Sequence, residues 1–227
     1  MNSLPWLSLV ATVALYAGAK RLYTKRPRIY FSPLLTVPAL LASLLLTTHI
    51  SYDTYHSGTQ WLNLMLQPAT IAFAVPLYKY RHLLKKHAVE IIPSVFFGSV
   101  IAMVSSAWIA EGLNIDKQLV GSLIPRSVTT PIAMDISRLT GGVPAVTAVV
   151  VILTGILGSL LGPLVIRYLK IDSEIARGVL LGTSSHAVGT VRAFQFSPTT
   201  GTVACVSMIL AALITISTVQ LLLPVIL

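Results

Sequence analysis

The sequence predicts an all-α protein that crosses a membrane several times. Of its 227 residues, 55% are hydrophobic and only 10% are charged, whereas soluble domains carry about 25% charged residues. The charged residues are concentrated in short stretches between long apolar runs, and each run is close to the roughly 20 residues that span a bilayer as a helix. The alternating ten-residue segments of membrane β-barrels are absent. These observations indicate a polytopic helical membrane protein.

Eight apolar segments follow one another along the chain. Their approximate bounds are 4–19, 29–48, 61–78, 88–110, 119–139, 143–166, 178–196 and 202–227. We expect about six to eight membrane segments. Because no soluble stretch or long linker separates them, we also expect one integral membrane domain over residues 1–227.

The basic residues of the loops orient these segments, because Lys and Arg accumulate on the cytoplasmic side of a membrane. Residues 20–28 contain five of them and residues 79–86 contain four, so both loops are expected inside. Residues 49–60 contain none, which places this loop and the N-terminus outside. The net charge of +9 then reflects membrane topology and does not indicate a nucleic-acid partner. The first apolar stretch precedes its charges, which is typical of a retained helix and not of a cleaved signal peptide.

Two of the eight segments are interrupted by polar and helix-breaking residues. Residues 119–139 contain Pro125 and Pro131, and residues 178–196 contain Gly182 and Gly189. Backbone with incomplete helical hydrogen bonds is tolerated at bilayer depth only when it is buried in protein or lines a cavity. Two interrupted segments in matching positions predict a transport site.

Loop charges predict that these interrupted segments are re-entrant hairpins. Residues 111–117 are expected outside and residues 167–177, with three basic residues, inside. The chain must therefore cross the membrane an odd number of times between these two loops. Of the two segments between the loops, residues 143–166 form the regular one. The interrupted segment before it is therefore expected to enter and leave on the outer side, and the one after it on the inner side, as an inverted repeat whose tips meet near the midplane. The alternative is that both interrupted segments cross fully as unwound helices.

Arg126 is the main candidate for substrate contact in the first interrupted segment. Its guanidinium matches a carboxylate through two parallel hydrogen bonds. Ser127, Thr129 and Thr130 add hydroxyl groups, and a half-helix beginning here would add the positive end of its dipole. Two alternatives are open, namely that Arg126 pairs with Asp135 or that it extends to the membrane surface.

The second interrupted segment contributes a further set of candidate substrate-binding residues. His186 titrates near physiological pH and is a candidate for substrate or proton contact, although a histidine that bonds to a serine in the interior is the alternative. Arg192 is either a second carboxylate ligand or a charge at the membrane edge. The candidates here are Ser184, Ser185, His186, Gly189, Thr190 and Arg192.

Enzyme chemistry is not expected from this sequence. It contains no Gly-x-Ser-x-Gly elbow, and no acidic residue is spaced to orient His186. Phosphate-loop and dinucleotide motifs are also missing, and no cofactor or metal is expected. Cys205 is expected to be a buried, inert thiol. Asp135 and Arg138 are three residues apart and are expected to form a structural pair on one helix face.

Several motifs follow one another between about residues 60 and 205. They are Pro68-Ala-Thr70, Ala74-Val-Pro-Leu-Tyr-Lys79, Leu123-Ile-Pro-Arg-Ser-Val-Thr-Thr-Pro-Ile-Ala-Met134, Thr140-Gly-Gly-Val-Pro144, Thr154-Gly-Ile-Leu-Gly158, Ala176-Arg-Gly178 and Gly182-Thr-Ser-Ser-His-Ala-Val-Gly-Thr190. In kind and order they resemble the LrgB/CidB family of membrane proteins. Two departures stand out, since no carboxylate follows Arg192 where the family has one, and Gln67 precedes Pro68 where a glycine is usual.

The resemblance implies two functions. One is a secondary carrier of small monocarboxylates, of the glycolate or glycerate type as in plastid relatives or of the pyruvate type as in some bacterial relatives, linked in bacteria to control of autolysis and murein hydrolase activity. The alternative is an antiholin-like or holin-like regulator or pore component. The resemblance also implies the bacterial cytoplasmic membrane and a small LrgA/CidA-type membrane partner. The short chain suggests a homodimer.

Overall fold

The computed structural model describes residues 4–26, 31–65, 68, 71–72 and 74–226. Within these residues the regular structure is helical and contains no β-strand, so the predicted all-α class is confirmed. The helices, numbered here in chain order, are α1 (Leu4–Lys25), α2 (Pro33–Thr48), α3 (Tyr52–Leu64), α4 (Ala74–Lys79), α5 (Arg81–Lys86), α6 (Ala88–Gly112), α7 (Lys117–Leu123), α8 (Thr130–Leu139), α9 (Pro144–Tyr168), α10 (Glu174–Phe194) and α11 (Pro198–Ile226).

The chain forms two compact units, Met1–Ala69 and Thr70–Leu227. In the first unit, α1 packs against α2 and α3, and Thr12 Oγ1 of α1 lies 3.0 Å from Tyr55 Oη of α3. The motif at residues 68–70 and the departure at residue 67 lie outside the described residues except for Pro68. The expectation of a single domain stays a prediction.

Three of the described helices are long and apolar enough to cross a bilayer. They are α6, α9 and α11, with apolar stretches of 25, 25 and 27 residues. At 1.5 Å per residue each is at least about 37 Å long, which exceeds the roughly 30 Å hydrocarbon core. The multi-pass membrane class is thereby confirmed, whereas the count of six to eight segments stays a prediction.

The first interrupted segment folds back on itself. We call residues 117–139 hairpin 1, with α7 and α8 as its arms and residues 124–129 as its tip. Thr140 Oγ1 donates to Gly121 O at 2.8 Å, and Val143 N donates to Ser122 Oγ at 2.7 Å. A straight helix would separate residues 121 and 140 by about 28 Å. Hairpin 1 therefore begins and ends on the same side of the second unit.

The second interrupted segment folds back in the same way. We call α10 hairpin 2, because its backbone leaves the helical region at His186, with φ 40° and ψ −124°. Arg177 Cζ lies 5.9 Å from the centroid of the Phe196 ring, although a straight helix would separate these residues by about 28 Å. Residues 174–185 and 187–194 form the two arms, and the tip is His186.

The prediction that Gly182 and Gly189 break the second segment is wrong. Both glycines are helical, and they serve close packing instead. A Cβ atom at Gly189 would lie 2.6 Å from Ser185 Cβ on the other arm, and one at Gly182 would lie 2.8 Å from Ala204 Cα of α11. The break needs a positive φ angle, which costs about 1–3 kcal/mol of backbone strain at His186. The tertiary contacts of His186 hold it in this conformation.

α9 sets the two hairpins in opposite directions. Its first turn lies at the base of hairpin 1, where Thr147 Oγ1 is 2.7 Å from Ser137 Oγ. Its middle meets the tip of hairpin 2, since a Cβ atom at Gly155 would lie 3.2 Å from His186 Cε1. Its end leads into the base of hairpin 2. The predicted pair of hairpins entering from opposite sides is therefore confirmed, and the alternative of two full crossings is wrong.

Separate apolar clusters hold the two hairpins against the spanning helices. Met103 of α6, Val120 of α7, Ile136 of α8 and Val219 of α11 are buried in one cluster. Such side chains each contribute about 1.5–3 kcal/mol when fully buried from water. Between helices that are already in a membrane, close packing and hydrogen bonds are the terms that favour association.

Candidate functional site

The tips of the two hairpins touch, and we call this contact the junction. His186 Nε2 lies 3.1 Å from the main-chain oxygen of Arg126, sixty residues earlier in the chain. A carbonyl oxygen only accepts hydrogen bonds, so Nε2 is the donor and carries a proton. His186 is 3% exposed. The alternative of a histidine bonded to a serine is not observed, because within the described residues its hydrogen-bond partner is Arg126.

The Arg126 side chain is held by a serine that sequence reasoning missed. Nε of Arg126 donates to Ser106 Oγ at 2.5 Å, and the Ser106 hydroxyl donates to Ala102 O of its own helix, also at 2.5 Å. Among the described residues, neither Nη1 nor Nη2 of Arg126 has a hydrogen-bond or ion-pair partner. The two Nη groups therefore form an open, end-on fork suited to one carboxylate.

The proposed pair between Arg126 and Asp135 is wrong. Asp135 Oδ1 lies 2.5 Å from Arg138 Nη1, so the structural pair predicted for those two residues is confirmed. Both side chains of that pair are more than half exposed. Arg126 itself is partly buried at the tip, and its bond to Ser106 holds it there instead of letting it extend outward.

Three hydroxyl residues lie at the tip of hairpin 1 and in the first turn of α8. Ser127 and Thr129 are buried, and Thr130 is partly buried. Thr129 is the N-cap residue, yet its side chain makes no capping bond, and its Oγ1 is a buried atom without a hydrogen-bond partner in the part of the chain that the structure describes. Pro131, which lacks an N–H group, occupies the first turn. The remaining first-turn N–H groups and the positive end of the α8 dipole face this region.

Hairpin 2 brings fewer of its candidates to the junction. Ser185 is fully buried beside His186, and its Oγ lies 3.0 Å from that of Ser184. Ser184 is exposed and donates to the backbone of its own arm, as Thr190 does. Gly189 packs against the opposite arm. Of these candidates, His186 is the one in contact with hairpin 1, whereas Ser185 packs against Gly158 of α9.

Arg192 lies away from the junction. It is exposed in the last turn of α10, and its Nη1 is hydrogen-bonded to Gln195 Oε1. Six residues of helix separate it from the tip, or about 9 Å. Its position is close to the base of hairpin 2, as expected for the alternative of a charge at the membrane edge.

Metal-binding groups are not evident in the described part of the chain. No three His, Cys, Asp or Glu side chains come together there in a way that would hold a metal ion. Cys205 is a free, partly buried cysteine of α11. The expectation of a chain without metal or cofactor stays a prediction.

Comparison with known families agrees with this architecture. The sequence profile described as the LrgB-like family matches residues 12–225. The chain belongs to the LrgB family. It is 58% identical to YwbG, an uncharacterized protein of Bacillus subtilis (strain 168), over 92% of this chain and 93% of that protein.

Two further relatives of this LrgB-family chain carry descriptive names. The holin-like protein CidB of Staphylococcus aureus (strain Mu50) is 33% identical, with 92% of this chain and 91% of that protein covered. The antiholin-like protein LrgB of Bacillus subtilis (strain 168) is 30% identical, with 93% and 92% covered. No solved structure matches the chain significantly.

This LrgB-family chain also contains a cavity of about 540 Å³ between α4, α8 and α11. Thr129 and Asp135 are the polar residues of its lining, and the other lining residues are apolar. Neither Arg126 nor His186 lines it. The cavity reaches the start of α8, so it adjoins the hairpin junction without being part of it.

Proposed function

We propose that the chain is a secondary carrier of small monocarboxylates of the glycolate, glycerate or pyruvate type, and not an enzyme. The observation that carries this proposal is the Arg126 guanidinium at the junction of two opposed hairpins, without a carboxylate partner among the described residues. An arginine inside a membrane protein is costly, by about 2.5–3.5 kcal/mol on insertion scales. An anionic substrate would supply the missing charge.

Binding would use the free end of the guanidinium. Because Nε is bonded to Ser106, the substrate carboxylate would bind end-on to Nη1 and Nη2. The α8 dipole and the Thr129 hydroxyl would add to the positive potential at this end of the hairpin. One carboxylate matches one fork, which favours monocarboxylates over dicarboxylates.

Alternating access would follow from the opposed hairpins. Each hairpin enters from one side of the second unit, so each one covers the junction from that side. The hydrogen bond between His186 Nε2 and Arg126 O closes the contact between the tips. Opening toward either side would require this bond to break or to be replaced by a bond to substrate or water.

Uptake of radiolabelled pyruvate, glycolate and glycerate into proteoliposomes tests the proposal. We expect saturable uptake by the native chain and its loss in Arg126→Ala. Arg126→Lys should retain the charge but lose bidentate binding, with a raised KM. The matched control is Arg138→Ala, an arginine of the same hairpin in an exposed ion pair, which should leave uptake unchanged.

Two outcomes would refute the carrier. One is saturable uptake that survives Arg126→Ala, and the other is the absence of uptake by the native chain with all three acids. Size-exclusion profiles of each variant in detergent would separate a lost site from a lost fold.

A second function is favoured by the names of two relatives, holin-like protein CidB and antiholin-like protein LrgB. In it the chain is a regulator or pore component that acts with a small LrgA/CidA-type membrane protein and influences autolysis. It predicts solute leakage only when such a partner is reconstituted with the chain, and no effect of Arg126→Ala on that leakage. A homodimer, the bacterial cytoplasmic membrane and an outer N-terminus complete the proposed setting.

A further inference from the structure

We propose that the exposed basic face of α5 binds the head group of an anionic phospholipid in the membrane leaflet at that end of the molecule. The face consists of Arg81, His82, Lys85 and Lys86, and it lies immediately before the spanning helix α6. Its ligand would be a lipid of the bilayer and not a transported substrate, since Arg126 belongs to the hairpin junction. The site is therefore independent of the proposed carrier function.

The sequence of α5 separates its basic residues from its apolar ones. At 3.6 residues per turn, the four residues of the basic face fall on one arc of about 140°, and Leu83 and Leu84 fall on the opposite side. The structure follows this pattern, because the four residues are exposed, whereas Leu83 and Leu84 pack against the buried cluster that includes Ile91 and Val95. The apolar side thus fixes α5 with its charges facing outward.

The charges of this face lack acidic partners. Among the described residues, Arg81, Lys85 and Lys86 form no ion pair, and the carboxylate of Glu90 lies 3.4 Å from His87 instead. Arg81 and Lys85 are four residues apart, so two like charges are neighbours on the helix surface, which is unfavourable without a counter-charge. An anion bound across this face would relieve that repulsion.

The position of α5 favours a lipid over a soluble anion. α6 begins at Ala88 and is long enough to cross the bilayer, so the face that directly precedes it lies at the level of the head groups. Exposed apolar surface flanks the face, since Tyr78 is 69% and Val89 is 87% exposed. Arg81 Cζ lies 4.3 Å from the centroid of the Tyr78 ring, and such rings are typical of the membrane interface. The acyl chains of a bound lipid would cover this apolar surface, whereas a free phosphate would not.

The base of hairpin 2 adds positive charge at the same end of the second unit. The apolar side of α5 shares its cluster with Ile175 and Val179, which lie in the first turns of hairpin 2. Arg167 and Lys170, just before this hairpin, are exposed and form no ion pair in the part of the chain that the structure describes. At the other end of α6, residues 111–117 contain two acidic residues and one lysine. Anionic head groups are therefore attracted to one end of the molecule.

Lipid titration of the full chain in a neutral detergent tests the site. Native mass spectrometry would measure the affinity of the first bound lipid, for phosphatidylglycerol and for phosphatidylcholine with the same acyl chains. Each basic residue near an anionic surface strengthens the attraction about fivefold, so we expect phosphatidylglycerol to bind at least about tenfold more tightly. The difference should shrink as the concentration of ammonium acetate is raised, because salt screens exposed charges.

A double variant locates the binding in α5. Lys85→Gln with Lys86→Gln removes two charges of the face, so it should weaken phosphatidylglycerol binding about 25-fold and leave phosphatidylcholine binding unchanged. The matched control is Lys20→Gln with Arg21→Gln, which removes two exposed charges of α1 in the first unit and should leave the first lipid bound as tightly as in the native chain. Because all four positions are exposed, both variants should keep the native melting temperature in detergent without lipid.

Three results would overturn the site. One is equal affinity for the two lipids. Another is an equal loss of phosphatidylglycerol binding in both double variants, which would indicate diffuse attraction to any basic loop. The third is displacement of the bound lipid by inorganic phosphate at millimolar concentration, which would show that the face takes soluble anions. Tighter phosphatidylglycerol binding that is lost in the α5 variant alone would support the site.

Discussion

Replacing Gly189 by alanine should force apart the two arms of hairpin 2. A Cβ atom at this position would clash with Leu181 O, and it would lie 2.6 Å from Ser185 Cβ and 2.9 Å from Leu181 C. Ordinary contacts lie at 3.4–4 Å, so the arms would have to separate by about 1 Å. Two of the three clashing atoms belong to backbone, which cannot rotate away as a flexible side chain would.

The cost of this change follows from two opposing effects. In a helix interior, alanine is favoured over glycine by roughly 0.5–1 kcal/mol. Overpacking of a tight interior costs about 1–3 kcal/mol, and it dominates here because the obstacle is backbone. For a chain of this size, 1 kcal/mol corresponds to about 2–4 °C in melting temperature. We therefore expect Gly189→Ala to melt several degrees below the native protein.

The assay is size-exclusion chromatography of detergent-solubilised protein after heating to a series of temperatures. Gly98→Ala is the matched control, because Gly98 lies in α6 and no heavy atom of a described neighbouring residue lies within 4 Å of the position that its new Cβ atom would take. This control should be neutral or slightly stabilising. If Gly189→Ala matched Gly98→Ala, residues 174–194 would be an ordinary straight helix and the hairpin would be refuted.

Two further predictions test the arrangement of the hairpins. In a Cys205→Ala background, the double variant Arg177→Cys and Phe196→Cys should be cross-linked by a short bismaleimide, because these two residues are in contact. A lack of cross-linking would place the ends of hairpin 2 on opposite sides of the membrane. Thr147→Val should lower the free energy of unfolding by about 1–3 kcal/mol, since it removes the hydroxyl that lies 2.7 Å from Ser137 Oγ. An unchanged thermal profile would show that this contact does not hold α9 to hairpin 1.

The hairpins were predictable because loop charge and helix-breaking residues are local signals. Pro125 and Pro131 interrupt an apolar run, and the charges of residues 167–177 require one crossing where two segments occur. The exact break in the second hairpin was not predictable. A positive φ at His186 is held by contacts with other helices, whereas sequence reasoning assigns such angles to glycine.

The positions of Ser106 and Arg192 could not be predicted from the sequence, because they depend on tertiary packing. Ser106 resembles any serine in an apolar helix that bonds to its own backbone, and its contact with Arg126 spans twenty residues. Arg192 follows the second tip closely in sequence, but the helical arm carries it toward the base of the hairpin. Spacing alone does not indicate how far along an arm a side chain lies.

The packing of hairpin 2 has a consequence for biosynthesis. Gly178 and Gly182 of this hairpin lie against Val203 and Ala204 of α11, a helix that leaves the ribosome later. Until α11 is inserted, the first arm of hairpin 2 lacks one of its packing partners, and a half-polar segment cannot rest stably in lipid. The nascent chain must therefore be sheltered by the insertion machinery until its last helix emerges, and truncation before α11 should expose it to membrane proteases.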